Sequence, residues 1–183
     1  MNCALASVEP TPTYPSGDAA DVALRDGSTV HIRPVRIEDR SAIDVFLHRL
    51  SPQSIGFRFF GQIDLHWVLE WAMQVDYVDR YAFVACNGPS GEIVAHGAYI
   101  RCSSDAAEVA FVVADEWQDH GIATILLAHL AAAAERQGIS SFTAEVLPAN
   151  HRMIDVFRDS GFPITQRTGD GVIEIELPTS FAT

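Results

Sequence analysis

Between Glu108 and Thr124 the chain reads EVAFVVADEWQDHGIAT, and the residues with the clearest chemistry are its last seven, Gln118-Asp-His-Gly-Ile-Ala-Thr124. An apolar, β-branched run (Val109 to Ala114) precedes them. A Leu- and Ala-rich run (Ile122 to Gln137) follows, with Gly138 just past its end. A strand that feeds a helix through a loop with one glycine brings successive backbone N–H groups to one spot. The first N–H groups of a helix lack internal acceptors, and the helix dipole adds partial positive charge there. The pattern therefore predicts an anion site, best suited to phosphate, over Gln118, Asp119, His120, Gly121, Ile122, Ala123 and Thr124. The plainer alternative is an ordinary strand-to-helix turn. The seven histidines show no metal-ligand spacing, and Cys3, Cys86 and Cys102 form no CxxC knuckle, so no metal is expected.

The elements that must position this loop can be read in order. Residues 1 to about 20, with Pro10, Pro12 and Pro15 and no periodic apolar pattern, read as a flexible tail. A single domain is expected over 21–178, with a short C-terminal tail over 179–183. Val22 to Arg33 reads as a hairpin about Asp26-Gly27, and Pro34 should end its regular pairing. Ala42, Ile43, Phe46, Leu47 and Leu50 have helical spacing, and Ser51-Pro52 should break that helix. Two short helical segments, Ser54 to Phe60 and His66 to Met73, are expected to border a cleft.

Strands follow at Tyr81 to Cys86, Glu92 to Cys102 and about Ala106 to Ala114, then the long helix, a strand at Ser141 to Leu147 and a helix at Arg152 to Asp159. The final strands lie at Phe162 to Arg167 and Gly171 to Leu177. This order implies a mixed α/β (α+β) sheet, mostly antiparallel, with helices on both faces. A parallel pair is joined across the long helix by a right-handed crossover.

The balance of 24 Asp and Glu against 12 Lys and Arg argues against nucleic acid, which needs a basic footprint, and favours a cationic partner. A charged surface that serves only solubility explains the same numbers. No apolar run is long enough to span a membrane, and no signal-peptide pattern opens the chain. A reducing cytoplasm is expected, with Cys86 and Cys102 buried and inert.

On these residues the sequence resembles the GCN5-related N-acetyltransferase (GNAT) superfamily over roughly residues 28 to 177. Gln118-x-x-Gly121-x-Ala123 matches that family's Q/R-x-x-G-x-G/A acyl-CoA loop. Asn150 and Phe157-Arg-Asp-Ser-Gly-Phe162 match its later signatures. Ala107-Glu-Val-Ala-Phe-Val-Val-Ala-Asp115 and Ala144-Glu-Val-Leu-Pro-Ala-Asn150 bring it closest to the bacterial Pat-type protein lysine acetyltransferases.

The resemblance implies acetyl-CoA as co-substrate. Its pyrophosphate would lie on the Gln118 to Thr124 loop, and its pantetheine arm along Phe111, Val112 and Val113. Asn150 would hold the amide arm, unless it serves only as a helix cap, with Met153 beside it. Glu108 is the candidate general base, because a lysine is protonated at neutral pH and must lose a proton before it attacks a thioester. Partial burial would raise its pKa toward the working range. A solvated or salt-bridged carboxylate is the alternative, and Glu145 is the second candidate. Arg152 could reach the 3′-phosphate.

Many relatives carry a Tyr where Phe157 stands and use it to protonate the leaving thiolate, which Phe157 cannot do. The resemblance thus implies an N-acetyltransferase acting on a protein lysine, possible partners including an acyl-CoA synthetase, as a monomer or homodimer. A small-molecule amine acceptor and a non-catalytic acyl-CoA sensor remain open.

Overall fold

The computed structural model describes residues 12–88 and 91–180. Most of both expected tails, residues 1–11 with Cys3 and residues 181–183, lies outside the described residues.

The first strands, β1 (Ala20–Ala23) and β2 (Thr29–Pro34), form the expected antiparallel hairpin. Gly27 takes the left-handed φ of 86° that the turn requires, and the Asp26 carboxylate accepts from the Ser28 N–H at 2.9 Å. Pro34 does not end the pairing: it stands opposite Phe83, and the Val35 N–H still donates to the Ala82 carbonyl at 2.9 Å. The missing N–H of Pro34 is tolerated because β1 has already ended, opposite Ile32.

Three helices come next, α1 (Arg40–Arg49), α2 (Pro52–Phe59) and α3 (Leu65–Ala72). Ile43, Phe46 and Leu47 are the buried stripe of α1. Ser51-Pro52 breaks α1 and also starts α2. The Ser51 hydroxyl oxygen accepts from the Ser54 N–H at 3.2 Å, and Pro52 occupies the first turn, where its missing N–H costs no hydrogen bond.

The remaining elements are β3 (Arg80–Asn87), β4 (Ile93–Arg101), β5 (Ala106–Val113), α4 (Ile122–Arg136), β6 (Ser141–Val146), α5 (His151–Arg158), β7 (Thr165–Gly169) and β8 (Val172–Pro178). They make one eight-stranded sheet in the order β1-β2-β3-β4-β5-β6-β8-β7. The β5–β6 pair is parallel and every other pair is antiparallel, as the α4 crossover dictates.

Helices cover both faces. On one, Leu126, Leu127 and Leu130 of α4 and Phe157 of α5 pack against Phe83, Phe111 and Phe142. On the other, Phe46, Leu47 and Leu69 pack against Val84 and Val112. Each fully buried side chain of this size contributes about 1.5–3 kcal/mol relative to exposure. Strand β3 is buried on both faces from Tyr81 to Cys86, hence its continuous apolar run.

Two expectations need correction. The tail reading extends too far, because residues 14–18 dock on the body. The Tyr14 ring meets Tyr77 edge-on at 6.0 Å, and the Asp18 carboxylate accepts from the Tyr81 hydroxyl and pairs with Arg136. Cys86 is buried as expected, whereas Cys102 is exposed, since it follows the last residue of β4 where the chain leaves the sheet.

Candidate active site

Strands β5 and β6 pair through only three residue pairs, from Ala106 with Ser141 to Glu108 with Thr143. Beyond Glu108 they separate, and a cleft of about 650 Å³ opens between them, roofed by α2, α4 and α5. The separation leaves half of the β5 backbone without a strand partner. The register with β4 pairs Ala110, Val112 and Ala114 toward that strand, and the Ala114 N–H donates to the Val94 carbonyl at 2.8 Å. Alternation then turns the N–H and C=O of Phe111 and Val113 toward the cleft. Strand β4 makes room for the Phe111 ring with Gly97, where a Cβ would lie 2.7 Å from Phe111 Cδ1.

The loop after β5 makes a 3₁₀ turn (Asp115–Trp117) and then reaches α4 through Asp119 and Gly121, both left-handed, at φ 66° and 84°. Among the described residues nothing lies within 4 Å of where a Gly121 side chain would begin, so its backbone faces open space. The first helical hydrogen bond runs from the Ile125 N–H to the Gly121 carbonyl, which leaves the N–H groups of Ile122, Ala123 and Thr124 without internal acceptors. No side chain among the described residues caps this end. By contrast α2, α3 and α5 are capped by Ser51, Asp64 and Asn150. A bare N-terminus on a 15-residue helix, opening into a cleft, is suited to bind an anion.

Gln118 closes the loop over β5. Its Nε2 donates to the Val113 carbonyl at 3.2 Å and to Ser54 Oγ at 3.1 Å, and its Oε1 accepts from Arg152 at 2.7 Å. Arg152, the expected 3′-phosphate ligand, is thus engaged here with Gln118, and lies 3.3 Å from Asp119. Asp115 ties α2 to the same loop. Burial works to raise its pKa, but hydrogen bonds from Ser51 and Ser54 outweigh it and hold the carboxyl below its ordinary value.

Of the residues expected from sequence, Glu108, Phe111, Val112, Val113, Gln118, Asp119, Gly121, Ile122, Ala123, Thr124, Asn150 and Met153 all line this one cleft. His120 does not. Its Nδ1 lies 2.8 Å from the Gln118 carbonyl and its Nε2 3.3 Å from Asp26, so the ring turns to the β1–β2 hairpin. Asn150 does cap α5, accepting from the Met153 N–H at 3.2 Å. Phe157 is buried, its ring centroid 6.1 Å from that of Phe111.

Glu108 is exposed, not partly buried as expected, because it is the last β5 residue paired with β6 and stands where the cleft opens. Its carboxylate makes no hydrogen bond or ion pair among the described residues, and neither does that of Glu145, which also lines the cleft. Helix α3, expected at the cleft border, contributes no lining residue and packs instead against α1. No group of three or more His, Cys, Asp and Glu that could hold a metal occurs among the described residues.

Sequence reasoning missed Arg58. It comes from α2 and lines the cleft on the side of Glu108, its guanidinium 4.9 Å over the Phe59 ring and 5.2 Å over Trp71. A lone arginine within Phe57-Arg-Phe-Phe60 was the available signal. Behind it His96 is buried on β4, opposite Val112 on the same sheet face. Burial, helped by the Arg58 charge, pushes His96 down to about 3, so it is neutral at pH 7.

Comparison with known proteins bears on this site directly. The model of the acetyltransferase (GNAT) family matches residues 52–162, which contain α2, β5, the loop and α5. An acetyltransferase of Pseudomonas aeruginosa is 35% identical over 164 residues, covering 87% of this chain and 88% of its own. Acetyltransferase Pat of Mycolicibacterium smegmatis is 33% identical over 162 residues, covering 86% of this chain and 48% of its own. The chain thus spans about half the length of that relative. The crystal structure of the GNAT domain of S. lividans PAT superposes with a TM-score of 0.82 at 37% identity, over 91% of this chain and 99% of that one.

Proposed function

The chain belongs to the acetyltransferase (GNAT) family, whose members use acetyl-CoA, and from that premise we propose that it acetylates the ε-amine of a protein lysine, with Glu108 as the general base. The observation that carries the reading is the unpaired Glu108 at the mouth of the same cleft into which the bare α4 N-terminus and the free edge of β5 open. The residues fit the co-substrate. The N–H groups of Ile122 to Thr124 would hold the pyrophosphate. The Phe111 and Val113 edge would pair with the pantetheine arm, in place of the Gln118 amide that now occupies the Val113 carbonyl. Asn150 and Met153 would flank that arm. Bound there, acetyl-CoA supplies an activated acetyl thioester.

The chain's own groups then have distinct tasks. Glu108 takes a proton from the lysine ammonium, directly or through one water. The freed amine attacks the acetyl carbonyl and the C–N bond forms; the adduct nitrogen gives its second proton to water as the C–S bond breaks and coenzyme A leaves as thiolate. A backbone N–H near Val113 polarises the carbonyl. Phe157 supplies no proton, so the thiolate takes one from water.

Support for a lysine acceptor comes from the kinship with the two Pat proteins and from a formal net charge of −12, which draws cationic acceptors. The test is free-thiol release from acetyl-CoA against lysine-containing proteins, acyl-CoA synthetases among them, and against small amines. Turnover with a protein, lost in Glu108→Gln, is the expected result. Turnover with small amines alone would overturn the lysine reading and leave the family assignment standing. Tight acetyl-CoA binding with no turnover would favour a sensor.

A further inference from the structure

Among the described residues, the guanidinium in the acceptor half of the cleft has no anion. Arg58 makes no hydrogen bond and no ion pair there, and its Nε is buried without a partner. The other well-covered arginines behave differently. Arg33 is bidentate to Asp39 at 2.6 and 2.7 Å, and Arg101 pairs with Asp79 at 2.6 Å. Arg25, also at the cleft, is exposed and solvated, but in a chain with twice as many acidic as basic residues a well-covered arginine without an anion is a departure that calls for a cause. Taking a charge from water without a partner is costly. Desolvation accordingly draws Arg58 down to about 10, with the Glu108 charge working against it, and the group stays charged at neutral pH.

Its position is also fixed in advance. The rings of Phe59 and Trp71 hold the guanidinium carbon at 4.9 and 5.2 Å, and α2 is pinned to the cofactor loop through Ser51 and Ser54 on Asp115. Glu108 lies on the same face of the sheet without reaching it, so the guanidinium tip is available to a ligand in the cleft. A guanidinium presents paired donors that match a carboxylate.

We propose that Arg58 binds a carboxylate of the acceptor next to the amine that Glu108 deprotonates, so that the cleft selects lysines flanked by Asp or Glu. The inference rests on the lysine reading above and adds the local sequence that the site accepts. The overall negative charge draws basic acceptors in, and Arg58 chooses among them by a feature of opposite sign.

The test compares two peptides, identical except for Asp-Lys-Asp or Asn-Lys-Asn at the centre, with wild type, Arg58→Gln and Arg58→Lys, by thiol release. Wild type is expected to favour the acidic peptide about tenfold in kcat/KM, chiefly through KM. Arg58→Gln should bring the two peptides level by losing the acidic one, and Arg58→Lys should restore part of the preference. A wild-type ratio near one, a preference that survives Arg58→Gln, or an equal loss on both peptides would overturn the proposal. The wild-type ratio stands even where a variant fails to fold. If only small amines are turned over, the lysine reading falls, and the same ratio is read from amino acids against their amides. Preference for the carboxylate form, lost in Arg58→Gln, then upholds the subsite, and its absence rejects it.

Discussion

The half of the cleft under α4 offers backbone, and the half under α2 offers side chains. Around α4 the available groups are the N–H groups of Ile122 to Thr124 and the free edge of Phe111 and Val113, with Gly121 holding the turn at φ 84°. Around α2 they are the Glu108 carboxylate and the Arg58 guanidinium, both unpaired. In the proposed function, backbone groups would recognise what every reaction with acetyl-CoA shares, a phosphate and an amide-bearing arm. Side chains can be exchanged without moving the fold, so the acceptor half is where specificity can vary.

That division can be broken or sharpened by substitution. The largest effect belongs to Glu108→Gln, which should lower kcat by about 10²–10⁴-fold, measured as thiol release with the best acceptor. Next is Gly121→Val. A β-branched residue at φ 84° is strained, and its side chain would enter the open space proposed for phosphate. Acetyl-CoA affinity should fall by on the order of 100-fold in calorimetry, equivalent to ~3 kcal/mol.

Both sides carry an acid sensitivity: burial lowers the pKa of His129 on α4 and, much further, that of His96 behind α2. His96 binds its proton near 3 in the folded chain and near 6.5 when unfolded. Between these values the unfolded state binds more protons, so stability falls as pH drops below about 6.5. The His96 contribution should be about 2 kcal/mol by pH 5 in urea unfolding, so that His96→Gln loses less stability than wild type over this range and keeps only the smaller His129 contribution. The smallest change is Asn150→Ala, which removes the α5 cap at a cost of about 1 kcal/mol. If Asn150 also holds the co-substrate, KM for acetyl-CoA rises in the same variant, and if it is only a cap KM stays put.

The α4 half was legible in the sequence because its conformations demand particular residue types. A left-handed turn before an apolar helix asks for Gly121, and a strand between two helix-covered faces reads as the apolar run Val109 to Ala114. The α5 cap at Asn150 was visible for the same reason. The α2 half was not legible, since Arg58 acquires its role only when α2 folds over β5, and no local pattern records that contact. The misjudged burial of Glu108 has the same origin. So does the docked stretch around Asp18, whose partners Tyr81 and Arg136 lie far along the chain. The parallel pair followed from the crossover, but its divergence beyond Glu108, which makes the cleft, had no marker of its own.

Acetyl-CoA binding to wild type, Glu108→Gln and Gly121→Val, measured side by side by calorimetry, tests most directly whether the two halves act separately. The expected result is unchanged affinity in Glu108→Gln, whose turnover is lost, and affinity lost in Gly121→Val. Weakening of both to the same degree, or no binding by the wild type, would contradict a backbone-built co-substrate site beside a side-chain-built acceptor site.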